Sequence, residues 1–543
     1  MRFSHVSIGG GITGVETIIS TFIDIQKKIK RLKKKKIKKI VFAIIDKDPD
    51  NIPGGVAYGF KNSQFGYFNN PIRLSPTQFI KWLKNKDNKK KIIKYLRLYG
   101  GYTGKEWIKK NTNILYSSKI KNINELYIPR AIANLWMEER LLWLISKIKK
   151  ISKNKLIRFD LKFLKGEVIA IQDLKNTYHK IIFKNNYYET LKYKITKNSF
   201  KKISFIKDKI RNEPIFSKTQ NIGLGLPPPK QLATTRAANN KYYIWDFYSQ
   251  GATSNLIKKI IQLNKFKKKI KIYFIGYKAG LLESLPEIEK IIKKKKIKIE
   301  IMCSSSDLTS IQEAKLSLNK KSYKLQTLNK NKLLNINTAK KLYLYIIKEF
   351  EVSHSLGYKK YDAWTKILNN KILDKCIKKF SSNEKKKYFD FFFSKVRNIT
   401  RFTYPETIIA REKLLKMKIL KTKKENVKKV DSLRGKLIVI TKIKNKNNNK
   451  YICDIVINVS GPLNVDTLKN EIPLIKNLKN NGAKILSGGF VINDSFKIVG
   501  TKNVYTPGIL ARGFNPERKT IIKAILQNSQ KVGQSISKVL LKV

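Results

Sequence analysis

At 543 residues, 42% of them hydrophobic and 10% aromatic, the chain carries apolar material for several domain-sized cores, and general disorder is excluded. Lys+Arg 116 against Asp+Glu 38 gives a formal charge of +78. That field would attract any polyanion, but the excess runs along the whole chain beside abundant Ile and Asn, all AT-rich codons, and reads as coding bias. Three separated cysteines (Cys303, Cys376, Cys453) and three histidines (His5, His179, His354) exclude a disulfide framework, a zinc cluster and a dithiol pair. No apolar run reaches about 18 residues, so no segment is expected to span a membrane. Glycines within nine residues of the start leave no room for a signal peptide, and the expected location is the cytoplasm.

In chain order, FSHVSI (3–8) reads as a buried strand ending at Gly9, and residues 12 to about 29 as an amphipathic helix. VFAIID (41–46) reads as a central parallel strand. Segment 165–225 alternates as short strands leading into NIGLGLPPP (221–229), where three prolines force the chain out of the sheet. A second strand–turn–helix–strand unit covers 270–303, and 420–461 echoes the earlier meander. Residues 307–428 read as a largely helical insertion, and the lysine runs at 33–36, 293–296 and 385–387 as solvated helix ends or loops.

Gly9, Gly10, Gly11, Thr13 and Gly14 lie in a G-x-G-x-x-G turn between strand and helix. There Gly9 permits the tight turn, Gly11 admits a pyrophosphate to the backbone, and Gly14 lets the helix pack on the strand. Asp46 ends the second strand, where a carboxylate meets a ribose. Its spacing is about a dozen residues longer than the usual ~20. The motif therefore predicts a dinucleotide site. Gly276, Lys278 and Gly280 form a weaker second turn, with Lys278 in place of the central glycine and available to reach a phosphate as a point charge. The following strand ends in Cys303-Ser304-Ser305-Ser306 rather than an acid, which favours NADP over NAD. Arg73 and Arg130 stand out against the lysine background as candidate bidentate anion binders, with a salt bridge the equal alternative. YIWDFYSQ (243–250) reads as core rather than cleft.

IIDKDPDNIPGGVAYG (44–59), YFNNPIRLSPTQFIKWL (67–83), YIPRAIANLWMEERL (127–141), RNITRFTYPETIIAREKL (397–414), IVINVSGP (455–462) and VYTPGILARG (504–513) occur in that order. Together they make the chain resemble the bacterial FAD-NAD(P)-binding family, itself distantly similar to flavin-dependent N-hydroxylating monooxygenases. The resemblance implies an α/β fold with two Rossmann-like dinucleotide-binding domains, small antiparallel β meanders and the helical insertion. It implies an FAD domain at 1–226 and 461–543, interrupted by an NAD(P)-binding domain at 227–460. Gly9, Gly11, Gly14 and Asp46 would then hold the ADP half of FAD. Gly55, Tyr58, Asn69 and Arg73 would lie along the flavin, with Gly508 and Gly513 closing over it. The implied activity is an FAD-dependent, NADPH-using oxidoreductase, a monooxygenase of a small amine or similar nucleophile where O₂ is the acceptor. No nucleophile–base constellation competes with that reading. The alternative is a flavin-fold protein that binds or modifies RNA through its basic surface.

Overall fold

A computed structural model describes residues 1–29, 39–60, 66–68, 71–117, 123, 125–151, 158–174, 177–196, 199–224, 227–306, 308, 311–313, 316–317, 322–442, 448–461, 463, 465–468, 472–486, 488–513 and 522–541. Asn69 and the lysine run at 33–36 lie outside them.

The amino-terminal pattern folds as β1 (Arg2–Ile8), helix α1 (Ile12–Ile29) and β2 (Ile40–Asp46). These strands are near-continuous apolar runs because helices cover both faces of the sheet they enter. Six further strands join them: β3 (Phe159–Lys165), β4 (Val168–Asp173), β5 (His179–Phe183), β6 (Tyr188–Ile195), β7 (Ile203–Arg211) and β8 (Ile215–Ile222). The order is β4-β5-β8-β1-β2-β3-β6-β7, with Val504–Tyr505 also pairing β8. Its centre, β8-β1-β2-β3, is parallel, with His5 opposite Phe42 and Ile8 opposite both Ile45 and Ile222. The flanking pairs are antiparallel. Since β2 and β8 leave β1 on opposite sides, the carboxyl end of β1 is a topological switch point, where open α/β sheets take ligands.

The strand leading into 221–229 has an unexpected interior. β8 buries Ser217, Thr219, Gln220 and Asn221 completely. Their tolerance has a local cause. His5 Nδ1 lies 2.9 Å from Thr219 Oγ1 and Nε2 2.8 Å from Asn221 Oδ1, so much of this polar interior is satisfied within itself. Burial pushes the His5 pKa down to about 4, and the ring stays neutral at physiological pH.

The second sheet holds β9 (Tyr243–Ile244), β10 (Lys269–Ile275) and β11 (Lys298–Ser304), with the strands Leu420–Lys423 and Ile455–Asn458. All neighbours in it are parallel, and β10 lies between β11 and Ile455–Asn458. This is a second switch point, built like the first. Between β11 and Leu420–Lys423, the helices from Lys330–Leu334 to Phe393–Ile399 gather around their own core of Leu342, Ile346, Phe350, Ile367 and Tyr388, while Pro405–Lys416 puts Ala410 and Leu414 into the core of the second sheet. The helical pattern ends there, because Leu420–Lys423 pairs β11 and Asn426–Leu433 enters a three-stranded antiparallel sheet. Among the described residues no helix is long and apolar enough to cross a membrane.

Candidate functional site: two glycine turns at paired switch points

The first turn closes on backbone alone. Gly9 has φ +100°, a left-handed conformation an L side chain rarely adopts, and a Cβ there would lie 2.7 Å from the Gly223 carbonyl oxygen. A Cβ on Gly14 would meet the Gly9 carbonyl at 2.0 Å and Ser7 Oγ at 2.4 Å, so α1 sits as close to β1 as bare backbone permits. Gly9, Gly11 and Thr13 remain half-exposed while Gly10 and Gly14 are buried. The result is a shelf of main chain at the mouth of α1, whose first N–H groups have no intrahelical acceptor and whose dipole favours an anion.

Asp46 faces this shelf. Its Oδ2 accepts from the Gly10 N–H at 2.7 Å and Oδ1 from the Asp48 N–H at 2.8 Å. Burial raises its pKa, and those two N–H groups work against the rise. Each oxygen keeps a second lone-pair direction, which a sugar hydroxyl can use. The loop after β2 borders the shelf on one side: Ile52 packs over Gly10, and Gly55 stands against Gly11, where a Gly11 Cβ would lie 3.2 Å from the Gly55 Cα. Gly508 borders it on another, 3.6 Å from Thr13 by the same measure. The helix Ile522–Leu541 fixes that approach, with Asn528 Nδ2 donating to the Pro507 carbonyl at 3.1 Å. Gly513 ends the adjoining 3-10 turn, Ile509–Gly513. The structure thus brings together Gly9, Gly10, Gly11, Thr13, Gly14, Asp46, Gly55 and Gly508.

Tyr58 and Arg73 are elsewhere in the network. Tyr58, on the short helix Gly55–Tyr58, packs edge-on against Phe68 and faces the charges of Arg130 and Glu283. Arg73 pairs with Glu125 and lies beside Tyr127 and Tyr361, toward the helical segment. The bidentate partner of Arg130 is Glu283, within this chain.

The second turn repeats the first. Gly276 has φ +102°, and its Cβ would meet the Ser460 Cα at 2.6 Å, as Gly9 meets Gly223. Gly280 has no room beside Val459, whose Cγ1 would be 2.7 Å away. Lys278 differs from its expected pose. Its Nζ donates to the Ser460 carbonyl and lies over Gly461, so the side chain crosses the mouth of the helix Ala279–Lys295. Ser304 ends β11 buried, taking a hydrogen bond from Tyr273 at 2.9 Å. From YIWDFYSQ, Tyr243, Ile244 and Phe247 are core, and the Tyr248 hydroxyl donates to Glu283 Oε2 at 3.0 Å.

The sequence reading missed Gly223 and Glu283 as site-forming residues. Glu283, Glu287 and Glu289 are each at most 5% exposed. Acids at positions 283 and 287, one turn apart within the stripe Leu281, Leu282, Leu285 and Ile288, were the signal that this helix buries charge on purpose.

Cys303, Cys376 and Cys453 are free and buried. Burial pushes their thiols up, to about 12, 11 and 12 respectively. A thiol-specific disulfide reagent at mildly alkaline pH should leave native protein unmodified and titrate all three after denaturation. Fast reaction of a native thiol would mean that one of these positions opens.

No family model and no curated protein matches the chain. The reduced form of the ornithine hydroxylase PvdA from Pseudomonas aeruginosa superimposes with a TM-score of 0.53 at 10% identity, over 99% of this chain and 100% of that one. The likeness is one of fold. The FAD-bound cadaverine monooxygenase DfoA of Erwinia amylovora gives a TM-score of 0.47 at 10% identity, over 100% of this chain and 94% of that one. The bacillithiol disulfide reductase Bdr (YpdA) of Bacillus cereus gives 0.42 at 11%, over 99% of each.

Proposed function

We propose that the chain is an FAD-dependent, NADPH-using oxidoreductase, and a monooxygenase of a small amine or comparable nucleophile. The observation that carries this is the bare main-chain shelf at the mouth of α1, with the Asp46 carboxylate hydrogen-bonded across it. Main-chain N–H donors at a helix mouth suit a diphosphate, and the described residues of the shelf carry no side-chain nucleophile. In this reading residues 1–226 and 461–543 form the FAD unit, and Gly9, Gly10, Gly11, Thr13, Gly14 and Asp46 hold its ADP half. Gly55, Gly508 and Gly513 would lie toward the flavin, and Tyr58 and Arg73, held at Phe68 and Glu125, would act on it only through their neighbours. Residues 227–460 take the nicotinamide nucleotide at Gly276 and Gly280. Lys278 would leave the Ser460 carbonyl by a rotamer change and offer its ammonium to a phosphate. Bound flavin would supply hydride acceptance and oxygen chemistry, and the residues named supply binding and orientation.

The decisive experiment is the visible spectrum of the purified protein, followed by anaerobic NADPH or NADH. The expected result is a flavin spectrum that NADPH bleaches and NADH does not. A colourless protein that cannot be reconstituted with FAD would overturn the proposal. Should that protein bind RNA with a steep salt slope, the basic surface becomes its function instead.

A further inference from the structure

The helix Ala279–Lys295 carries the second glycine turn at its start, and one of its faces is docked onto the first unit. Three residues make that face, at helical spacing. Glu283 takes the Arg130 guanidinium on both oxygens. Glu287 Oε1 accepts from the Thr103 N–H at 2.6 Å. The Lys290 ammonium sits 4.8 Å from the Tyr102 ring centroid. Arg130 is fixed in turn, its Nε donating to the Tyr67 carbonyl at 2.9 Å and its own N–H to the Gly66 carbonyl at 2.7 Å. Tyr248, from the second unit, braces Glu283 through its hydroxyl and packs its ring 5.7 Å from the guanidinium carbon.

The Arg130 and Glu283 side chains are only 11% and 3% exposed. Burial lifts the Glu283 carboxyl, and Arg130 pulls it back; with both oxygens accepting, the pair is ionic. An apolar pair of this volume would serve stability as well or better, because burying two charges cancels most of their attraction. What a planar fork on a carboxylate adds is a fixed distance and a fixed angle. The pair also lies between the two glycine turns. Gly276 leads into the helix that carries Glu283, the Arg130 and Glu283 charges act on Tyr58 in the helix Gly55–Tyr58, and Gly55 at the start of that helix stands against Gly11.

We propose that Arg130 and Glu283 are the positioning pair that sets the second nucleotide turn against the first. Neither residue touches the reacting atoms. Their kinetic consequence rests on the oxidoreductase reading above, while their structural consequence does not.

The test therefore has two arms. In the kinetic arm, Glu283→Gln and Arg130→Lys keep shape and charge respectively while losing the ionic fork. Both should keep the native FAD content and hold half-saturating NADPH within about threefold. The limiting rate of anaerobic flavin bleaching should fall about a hundredfold, the scale of a 1 Å misplacement. In the structural arm, spin labels at Lys207→Cys in β7 and Lys258→Cys in the helix Ala252–Asn264 report the separation of the units; both lysines are exposed and the native cysteines are buried. One narrow distance in the parent should broaden in Glu283→Gln. Tyr248→Phe, which removes only the bracing hydroxyl, gives the same changes at smaller amplitude if Glu283→Gln fails to fold. A distance distribution as narrow in the variants as in the parent overturns the proposal, whatever the rates do. Broadened distances with an unaltered limiting rate overturn it too. If NADPH does not bleach the parent, the oxidoreductase reading fails, and the distance arm alone decides the pair.

Discussion

Gly14→Val is expected to yield protein without flavin. The added Cβ would stand 2.0 Å from the Gly9 carbonyl oxygen and 2.4 Å from Ser7 Oγ, and the nearer obstacle is backbone that no rotamer change can clear. To make room, α1 must lift from β1, which moves the helix mouth off the shelf and breaks the Gly10–Asp46 contact. Overpacking costs typically about 1–3 kcal/mol, and more where the clash is with main chain. Even 3 kcal/mol, if it falls on the bound state, lowers affinity about a hundredfold. The flavin-to-protein absorbance ratio after gel filtration measures this directly. Gly435→Ala is the control. It too has positive φ, at +76°, but nothing lies within 4 Å of its Cβ, so it bears backbone strain of about 1 kcal/mol and no clash. That variant should keep its flavin. If Gly14→Val retains full flavin while Gly435→Ala behaves normally, the shelf does not hold the cofactor.

What the sequence displayed clearly was whatever depends on local spacing. The strand–turn–helix order around Gly9 and Gly276 follows from glycine and apolar periodicity, and both units fold where that periodicity puts them. Asp46 was legible for the same reason: a carboxylate ending an apolar run has few places to go. Partnerships across long separations were not legible. Arg130 looked like an anion binder with an equal chance of a salt bridge, and only the packing of two sheets shows Glu283, 153 positions away, taking its two terminal nitrogens. Lys278 illustrates another limit. Its place in the turn was plain, but the carbonyl that claims its ammonium comes from Ser460, in the bend after Ile455–Asn458, a strand brought alongside by sheet order. The polar burial of β8 was hidden because its satisfaction comes from His5 on the neighbouring strand.

The helical segment should lose its shape when one carboxylate is removed. Glu349 is fully buried, and among the described residues its hydrogen-bond partners are hydroxyls and backbone N–H groups with no cation. It holds the chain at 323–328 instead, accepting from Tyr323 Oη at 2.6 Å, from Thr327 Oγ1 at 2.5 Å, and from the N–H groups of Gln326, Thr327 and Leu328 at 2.9, 2.7 and 2.9 Å. Tyr323 and Leu328, both held by this carboxylate, belong to the segment's core. Glu349→Ala strands three N–H groups and the Tyr323 hydroxyl, leaves the Thr327 hydroxyl to the Tyr345 carbonyl, and is expected to cost about 4 kcal/mol. Glu349→Gln keeps the volume but points an amide NH₂ at donors, for about half that loss. Burial opposes the charge of Glu349, yet the bonds from Thr327, Tyr323, Gln326 and Leu328 outweigh it and depress the pKa. A depressed carboxyl stabilises the fold fully above its unfolded pKa, ~4.3, and loses that contribution as pH falls through the native value. Amide exchange over 323–328 should therefore accelerate on acidification in the native chain, and be fast and nearly flat with pH, after correction for intrinsic rates, in Glu349→Gln. Equal acid sensitivity in the two would assign the effect to other carboxylates.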